Sequence, residues 1–203
     1  MITGWFDVRD GLAGASRFPS LARPNHRISA VEVAMLLTCG AASAATIAFV
    51  KLSLGIPGHS IVLAALPMAL GMSLAPRRLA GSVMSAGALT TASLLVAGGA
   101  GRFGSGAFAS LLLLGPMMDV AMSRARSGWR VYAALVLAGI ATNLLALISR
   151  AAPKLIGIDI GRPFDSWWLQ ASITYTLSGV VAGLFGALSW FHFNDRTEHR
   201  PPA

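Results

Sequence analysis

The sequence predicts an all-α, polytopic membrane protein, a bundle of six transmembrane helices with both termini in the cytoplasm. Three observations predict it. Apolar residues make up 55% of the 203 positions and charged residues only 12%, about half the charge of an average soluble domain. The apolar residues gather into runs near the ~20 residues needed to cross ~30 Å of hydrocarbon. The arginines fall between those runs. So little charge does not cover a water-soluble surface, and Cys39, the single cysteine, has no partner in the chain for a disulfide scaffold.

Residues Met1 to Arg27 carry Asp7, Asp10 and four arginines, broken by Pro19 and Pro24, and are expected to form a cytoplasmic tail. They lack a signal peptide's order of basic start, apolar run and small-residue cleavage site, so the first span is expected to be retained. The transmembrane domain is expected over residues 28–193. Its spans run Ile28 to Val50, Ser60 to Ala75, Leu79 to Gly98, Ser105 to Met122, Val131 to Ser149 and Trp168 to Phe193. The second is short for a perpendicular crossing, and starts earlier, around Ile56, or lies partly re-entrant. Asn194 to Ala203 form a polar C-terminal tail. Strands of alternating polarity are missing, which argues against a barrel.

Orientation follows from the basic residues. Of the 16, Lys51, Arg102, Arg150, Lys154 and Arg162 fall on one side and the remaining eleven on the other. The richer side is expected to be cytoplasmic, in the cell (inner) membrane. The net charge of +8 then faces anionic lipid, and no basic stripe with interleaved aromatics suggests nucleic acid. The outer side presents Lys51 to His59, Gly98 to Gly106 and the longest connection, Arg150 to Trp167.

Several chemistries lack their signatures. Neither lysine follows a glycine, so no phosphate loop exists and any ATP-derived energy comes from a partner. A G-x-S-x-G elbow, an H-E-x-x-H pair and zinc-ligand spacing are also missing. Gly99, Gly101 and Gly104 spell G-x-G-x-x-G, yet an apolar span precedes them where the dinucleotide fingerprint requires a strand. No metal, cofactor or catalytic residue is assigned.

Polar residues at span ends are the candidates for binding. His59 and Ser60, after the bend at Pro57 and Gly58, offer free N–H groups and an imidazole to a ligand. Equally, they read as an interfacial residue and a helix cap. Arg102 suits an anionic group. Asn143, deeper in span five, needs partners inside the bundle, either helical or ligand. Trp167 and Trp168 suit an aromatic belt or ring stacking. Asp119 is expected to pair with Arg77, Arg78, Arg124 or Arg126, and Glu32 to be similarly structural. Ala30, Ala34, Thr38, Ala41, Ala45 and Ala48 line one face of span one, and Gly179, Gly183 and Ala187 one face of span six. Such stripes pack helices internally or dock another membrane subunit.

The chain resembles the substrate-binding S components of energy-coupling factor transporters. The resemblance rests on six spans in about 200 residues, inward termini, the alanine spacing of span one, and Pro57-Gly58-His59-Ser60 followed by Leu66-Pro67, Gly71, Gly81 and Gly87. It covers spans one to four, and the last two only in layout. It implies a non-enzymatic protein that binds a small organic micronutrient in an outward pocket capped by the loop after span one. An Ala-x-x-x-Ala pattern, here Ala30 and Ala34 or Ala41 and Ala45, would contact a transmembrane coupling subunit driven by separate ATPase subunits. The metal-importing relatives begin Met-His; the start Met1-Ile2 argues against a metal substrate. Two other classes remain open: a membrane enzyme acting on lipid head groups through Asp119 and the neighbouring arginines, and a scaffold without a ligand.

Overall fold

A computed structural model describes residues 30–50, 58–75, 79–101, 103–125, 129–155 and 164–198. Residues 1–27, Pro57, Arg77, Arg78, Arg102 and Arg126 lie outside them. The described residues form six helices: α1 (Ala30–Phe49), α2 (Ser60–Leu74), α3 (Ala80–Ala97), α4 (Ser105–Arg124), α5 (Trp129–Leu155) and α6 (Phe164–Glu198). All but α2 are long and apolar enough to cross a membrane. The protein is an all-α, multi-pass membrane protein.

The helix bounds follow those read from the sequence, with three extensions, one of which starts α6 at Phe164, four residues before Trp168, so that the connection expected to be the longest is shorter than the one between α1 and α2. Helix α5 continues past Ser149 to Leu155 despite Pro153. A proline at that position removes the N–H that would reach the Ser149 carbonyl, and Ser105 Oγ of α4 lies 3.5 Å from that oxygen instead. Helix α6 continues past Phe193 to Glu198, since nothing between Asn194 and Glu198 breaks a helix. Helix α2, 15 residues or about 22 Å long, starts at Ser60 after a turn at Gly58 and His59.

The helices close into a ring in the order α1, α3, α4, α5, α6, α2, with α2 also touching α3 and α4. Connections of ten, seven and eight residues join α1–α2, α3–α4 and α5–α6 at one end, the long-loop face; those of five and four residues join α2–α3 and α4–α5 at the other. The interior is filled by small and flexible side chains: Ala64, Ala65, Met68 and Ala69 of α2, with Met84 and Ala88 of α3, are fully buried or nearly so. Large aliphatic residues such as Leu94, Leu112, Leu137, Ile148, Leu177 and Leu188 point outward, as lipid-facing residues should.

Close helix approach depends on glycine. A Cβ on Gly139 would strike the Gly179 carbonyl, one on Gly183 the backbone of Leu135 and Val136, and one on Gly115 the Gly81 carbonyl. The Gly179 and Gly183 stripe read from the sequence is therefore internal packing between α5 and α6. On α1 the buried face is Leu36, Gly40, Ser43 and Ala44. Ala30 and Ala34 are exposed, Ala41 and Ala45 half-buried. The first half of the alanine stripe of α1 is turned away from the core and the second half borders it.

Polar groups within the bundle tie helices together. Pro67 cannot donate to Leu63 four residues earlier. Thr46 Oγ1 of α1 approaches the freed Leu63 carbonyl at 3.2 Å and its own helix's Ser43 carbonyl at 2.9 Å. Ser43 Oγ sits 3.1 Å from the Ala64 carbonyl. Helix α3 starts after Leu79, which holds a left-handed φ of 68° and has no side-chain oxygen to cap the helix. Asp119 of α4 supplies the cap: Oδ1 accepts from the Gly81 N–H, and Oδ2 from the Ser82 N–H and hydroxyl, each at 2.8 Å. Arg77, Arg78 and Arg126, three of the four arginines expected to pair with Asp119, lie outside the described residues, and the partner described for its carboxylate is the start of α3. The carboxylate meets the positive end of a helix, which attracts negative charge as an arginine does.

Replacing Thr46 with Val should lower stability by about 1 kcal/mol, the usual net worth of one hydrogen bond. In a Pro67→Ala background the N–H restored by that change takes over the Leu63 carbonyl, and the same replacement should cost less than half as much. Unfolding titrations from mixed micelles on the four proteins of this cycle measure the difference. Equal costs in both backgrounds would refute the link between Pro67 and Thr46.

Candidate functional site

Toward the long-loop face, α5, α6 and the turn before α2 meet at Asn143, which is fully buried. Its amide Nδ2 donates to the Tyr175 carbonyl of α6 at 2.6 Å and to the Gly58 carbonyl at 3.4 Å. Gly58 holds φ +87°, and a Cβ there would press on Tyr175 Cγ and Asn143 Nδ2. Only glycine both adopts this backbone and lets the chain settle on α5 and α6. The Gly58 carbonyl also receives the Ile61 N–H of α2 at 3.5 Å. Asn143 thereby joins the beginning of α2 to the pair α5–α6.

Among the described residues, Asn143 Oδ1, Ser110 Oγ of α4 and Thr142 Oγ1 of α5 are buried without a hydrogen bond. Asn143 and Thr142 are 0% exposed and Ser110 is 1% exposed. Each such group costs about 1–3 kcal/mol if left unsatisfied. Hydroxyls in helices usually return their proton to the preceding turn, as Thr38, Thr90, Thr174 and Thr176 do here. Ser110 and Thr142 do not.

Helix register brings the three residues to one level of the bundle. Gly106 of α4 faces the Ala146 carbonyl and the Tyr175 hydroxyl. Two turns further along α4, Leu114 lines a small apolar void with Leu135 and Gly139. Ser110, between Gly106 and Leu114, is therefore level with the residues between Gly139 and Ala146, where Thr142 and Asn143 lie. The void, which none of these three residues lines, is walled further by Ala65, Met118 and Ala182; its apolar walls favour a dry space. Above it, Arg150 Nη1 reaches the Tyr175 hydroxyl at 3.5 Å, and Trp167 packs against the cluster of Ala146, Leu147, Ala171 and Tyr175.

The residues proposed from the sequence divide accordingly. Asn143 is central, and Trp167 lies in the wall above it. Trp168, whose ring centroid is 6.4 Å from that of Trp167, is exposed on an adjoining face of α6. His59 and Ser60 follow Gly58 directly and are half-buried. His59 occupies the N-cap position of α2 without a side-chain cap bond, and Ser60 is the first helical residue rather than the cap. Arg102 falls outside the described residues. Ser110, Thr142, Tyr175 and Arg150 emerge only here. No group of three His, Cys, Asp or Glu residues among the described ones is placed to hold a metal.

Loss of Asn143 and loss of the two hydroxyls should have opposite effects on stability. Asn143→Leu removes the tie between Gly58 and Tyr175 and should destabilise the protein by about 2 kcal/mol. Ser110→Ala with Thr142→Val removes unsatisfied groups and should be neutral or stabilising by up to about 1 kcal/mol in the ligand-free protein. Thermal unfolding midpoints in lipid nanodiscs check both signs. A double variant as unstable as Asn143→Leu would show that the hydroxyls already have protein partners.

The chain matches no protein-family model, no curated protein and no solved structure.

Proposed function

We propose that the protein is a membrane-embedded solute-capture subunit of the energy-coupling-factor type, with both termini in the cytoplasm of a cell whose inner membrane it spans. It takes a small organic micronutrient from the outer side, which is the long-loop face in this reading, and performs no catalysis itself. The observation that carries the reading is the polar layer of Asn143, Ser110 and Thr142, three buried oxygens without partners beneath a rim of Tyr175, Arg150 and Trp167. Buried polar groups in a dry bundle are hydrogen-bonded as a rule, so oxygens left open below a polar rim suit a guest. The exposed Ala30 and Ala34, with the half-buried Ala41 and Ala45, on α1 support a second feature of the reading, a small-residue face on which a coupling subunit could seat closely. Separate ATPase subunits would supply the energy, in keeping with the missing phosphate loop.

A lipid head-group enzyme built on Asp119 is less well supported. That carboxylate has both oxygens engaged in capping α3, and no second acid or base stands beside it among the described residues to share general acid–base work.

Purified protein in nanodiscs, tested against a panel of water-soluble vitamins by equilibrium dialysis, should bind at least one saturably, and Asn143→Leu should abolish that binding. Ala34→Trp with Ala41→Trp should leave binding intact and stop uptake in cells that carry the coupling and ATPase subunits. A panel with no binder would overturn the capture reading. Uptake unaffected by the tryptophans would remove α1 as the docking face.

A further inference from the structure

The connection between α4 and α5 concentrates positive charge. From Ser123 to Arg130 the chain carries Arg124, Arg126 and Arg130 and no acid. Arg124 ends α4 and Arg130 is the second residue of α5, with four residues joining the two helices, so both arginines stand at one level, the short-loop edge of the bundle. Both are exposed. Among the described residues neither makes a hydrogen bond or an ion pair. Arg130 also sits in the first turn of its helix, where the N–H groups already concentrate positive charge and a cation is unfavourable unless an anion covers it.

Helical register places the two arginines on neighbouring lipid-facing flanks. On α4, Asp119 holds the start of α3, while Leu114 meets Leu135 and Gly139 of α5 across the void. At about 100° per residue, Arg124 lies about 40° from the exposed Val120, on the α5 side, and about 140° from Asp119. On α5, Tyr132 stacks on Phe191 of α6 with ring centroids 4.8 Å apart. Arg130 lies about 160° round from Tyr132, and within about 40° of Leu137, Leu144 and Ile148, which are exposed. Each arginine thus stands at the head of an exposed aliphatic stripe, on two helices that pack side by side. Trp129, 70% exposed, is next to Arg130, at the level where indole rings meet lipid head groups.

An exposed arginine holds a free anion weakly in water, because solvent and salt screen the attraction. A phospholipid is kept at this level by its own acyl chains, so its phosphate meets the arginines without being collected from solution. The aliphatic stripes below the two charges favour the lipid over a soluble anion.

We propose that the outer seam between α4 and α5 binds one anionic phospholipid, with its phosphate between Arg124 and Arg130 and its acyl chains along Val120 and Leu137. The lipid supplies the counter-charge that this connection lacks and ties the end of α4 to the start of α5. The seam lies at the opposite end of the bundle from Asn143, and the inference does not depend on the solute-capture reading.

Native mass spectrometry of the full chain in detergent micelles, titrated with dioleoylphosphatidylglycerol or dioleoylphosphatidylcholine, tests this. The parent protein should retain a first phosphatidylglycerol about tenfold more tightly than phosphatidylcholine, and phosphatidylglycerol should raise its thermal unfolding midpoint. Arg124→Gln with Arg130→Gln should weaken that first binding about tenfold and remove the midpoint shift. Arg9→Gln with Arg17→Gln takes the same charge from the N-terminal residues and should leave both readouts as in the parent. Equal retention of the two lipids, or equal losses in the two double variants, would overturn the site in favour of a general attraction between a basic protein and an anionic surface. Displacement of phosphatidylglycerol by inorganic phosphate would also overturn it, since the arginines would then hold any soluble anion.

Discussion

Backbone and side-chain polar groups inside a lipid-embedded bundle have no bulk water to turn to, and that constraint organises this structure. Each proline in α2 and α5 strips a carbonyl of its helical donor, and in both cases a hydroxyl from the neighbouring helix stands against the exposed oxygen: Thr46 at Leu63 and Ser105 at Ser149. The unsatisfied N–H groups at the start of α3 are met by Asp119 from α4. Ser85 Oγ accepts the Gly115 N–H at 3.1 Å, adding a second link between those helices. Against this background of local repair, the oxygens of Ser110, Thr142 and Asn143 stand out as buried groups without a hydrogen bond among the described residues.

The same small residues that permit close packing also place the site. Gly139 and Gly179 let α5 and α6 touch backbone to backbone, which brings Asn143 within reach of the Tyr175 carbonyl. Gly106 lets α4 approach Tyr175 and Ala146, and Gly58 seats the start of α2 on both. A side chain at any of these glycines would push apart the walls on which the polar layer depends. Interior volume is meanwhile filled by alanine and methionine, with leucine left to face lipid, so the bundle gains its cohesion from close contact more than from hydrophobic burial.

Much of the architecture was legible in the sequence because its cause is local. Apolar run length is a property of neighbouring residues, and it located all six helices to within a turn or so at most ends. The α5 and α6 extensions escaped because they depend on Ser105 reaching Ser149 and on the absence of a breaker in a polar stretch. Asn143 was legible because an amide deep in an apolar span needs a partner wherever it lies. Ser110 and Thr142 were not: a hydroxyl in a membrane helix ordinarily bonds its own preceding turn, and their failure to do so is visible only in three dimensions. For Asp119 the sequence shows nearby arginines but not the helix end that the fold turns toward it.

The central claim is that the polar layer is open to a guest, and an experimental structure of the as-purified protein in lipid, at a resolution that shows ordered water, tests it most directly. The account predicts density bridging Asn143 Oδ1 and the Ser110 and Thr142 hydroxyls, reached from the rim at Tyr175 and Arg150. It would be contradicted by hydroxyls turned back onto the carbonyls of Gly106 and Ala138, an Asn143 oxygen engaged by a protein donor, and helices closed over the space between them.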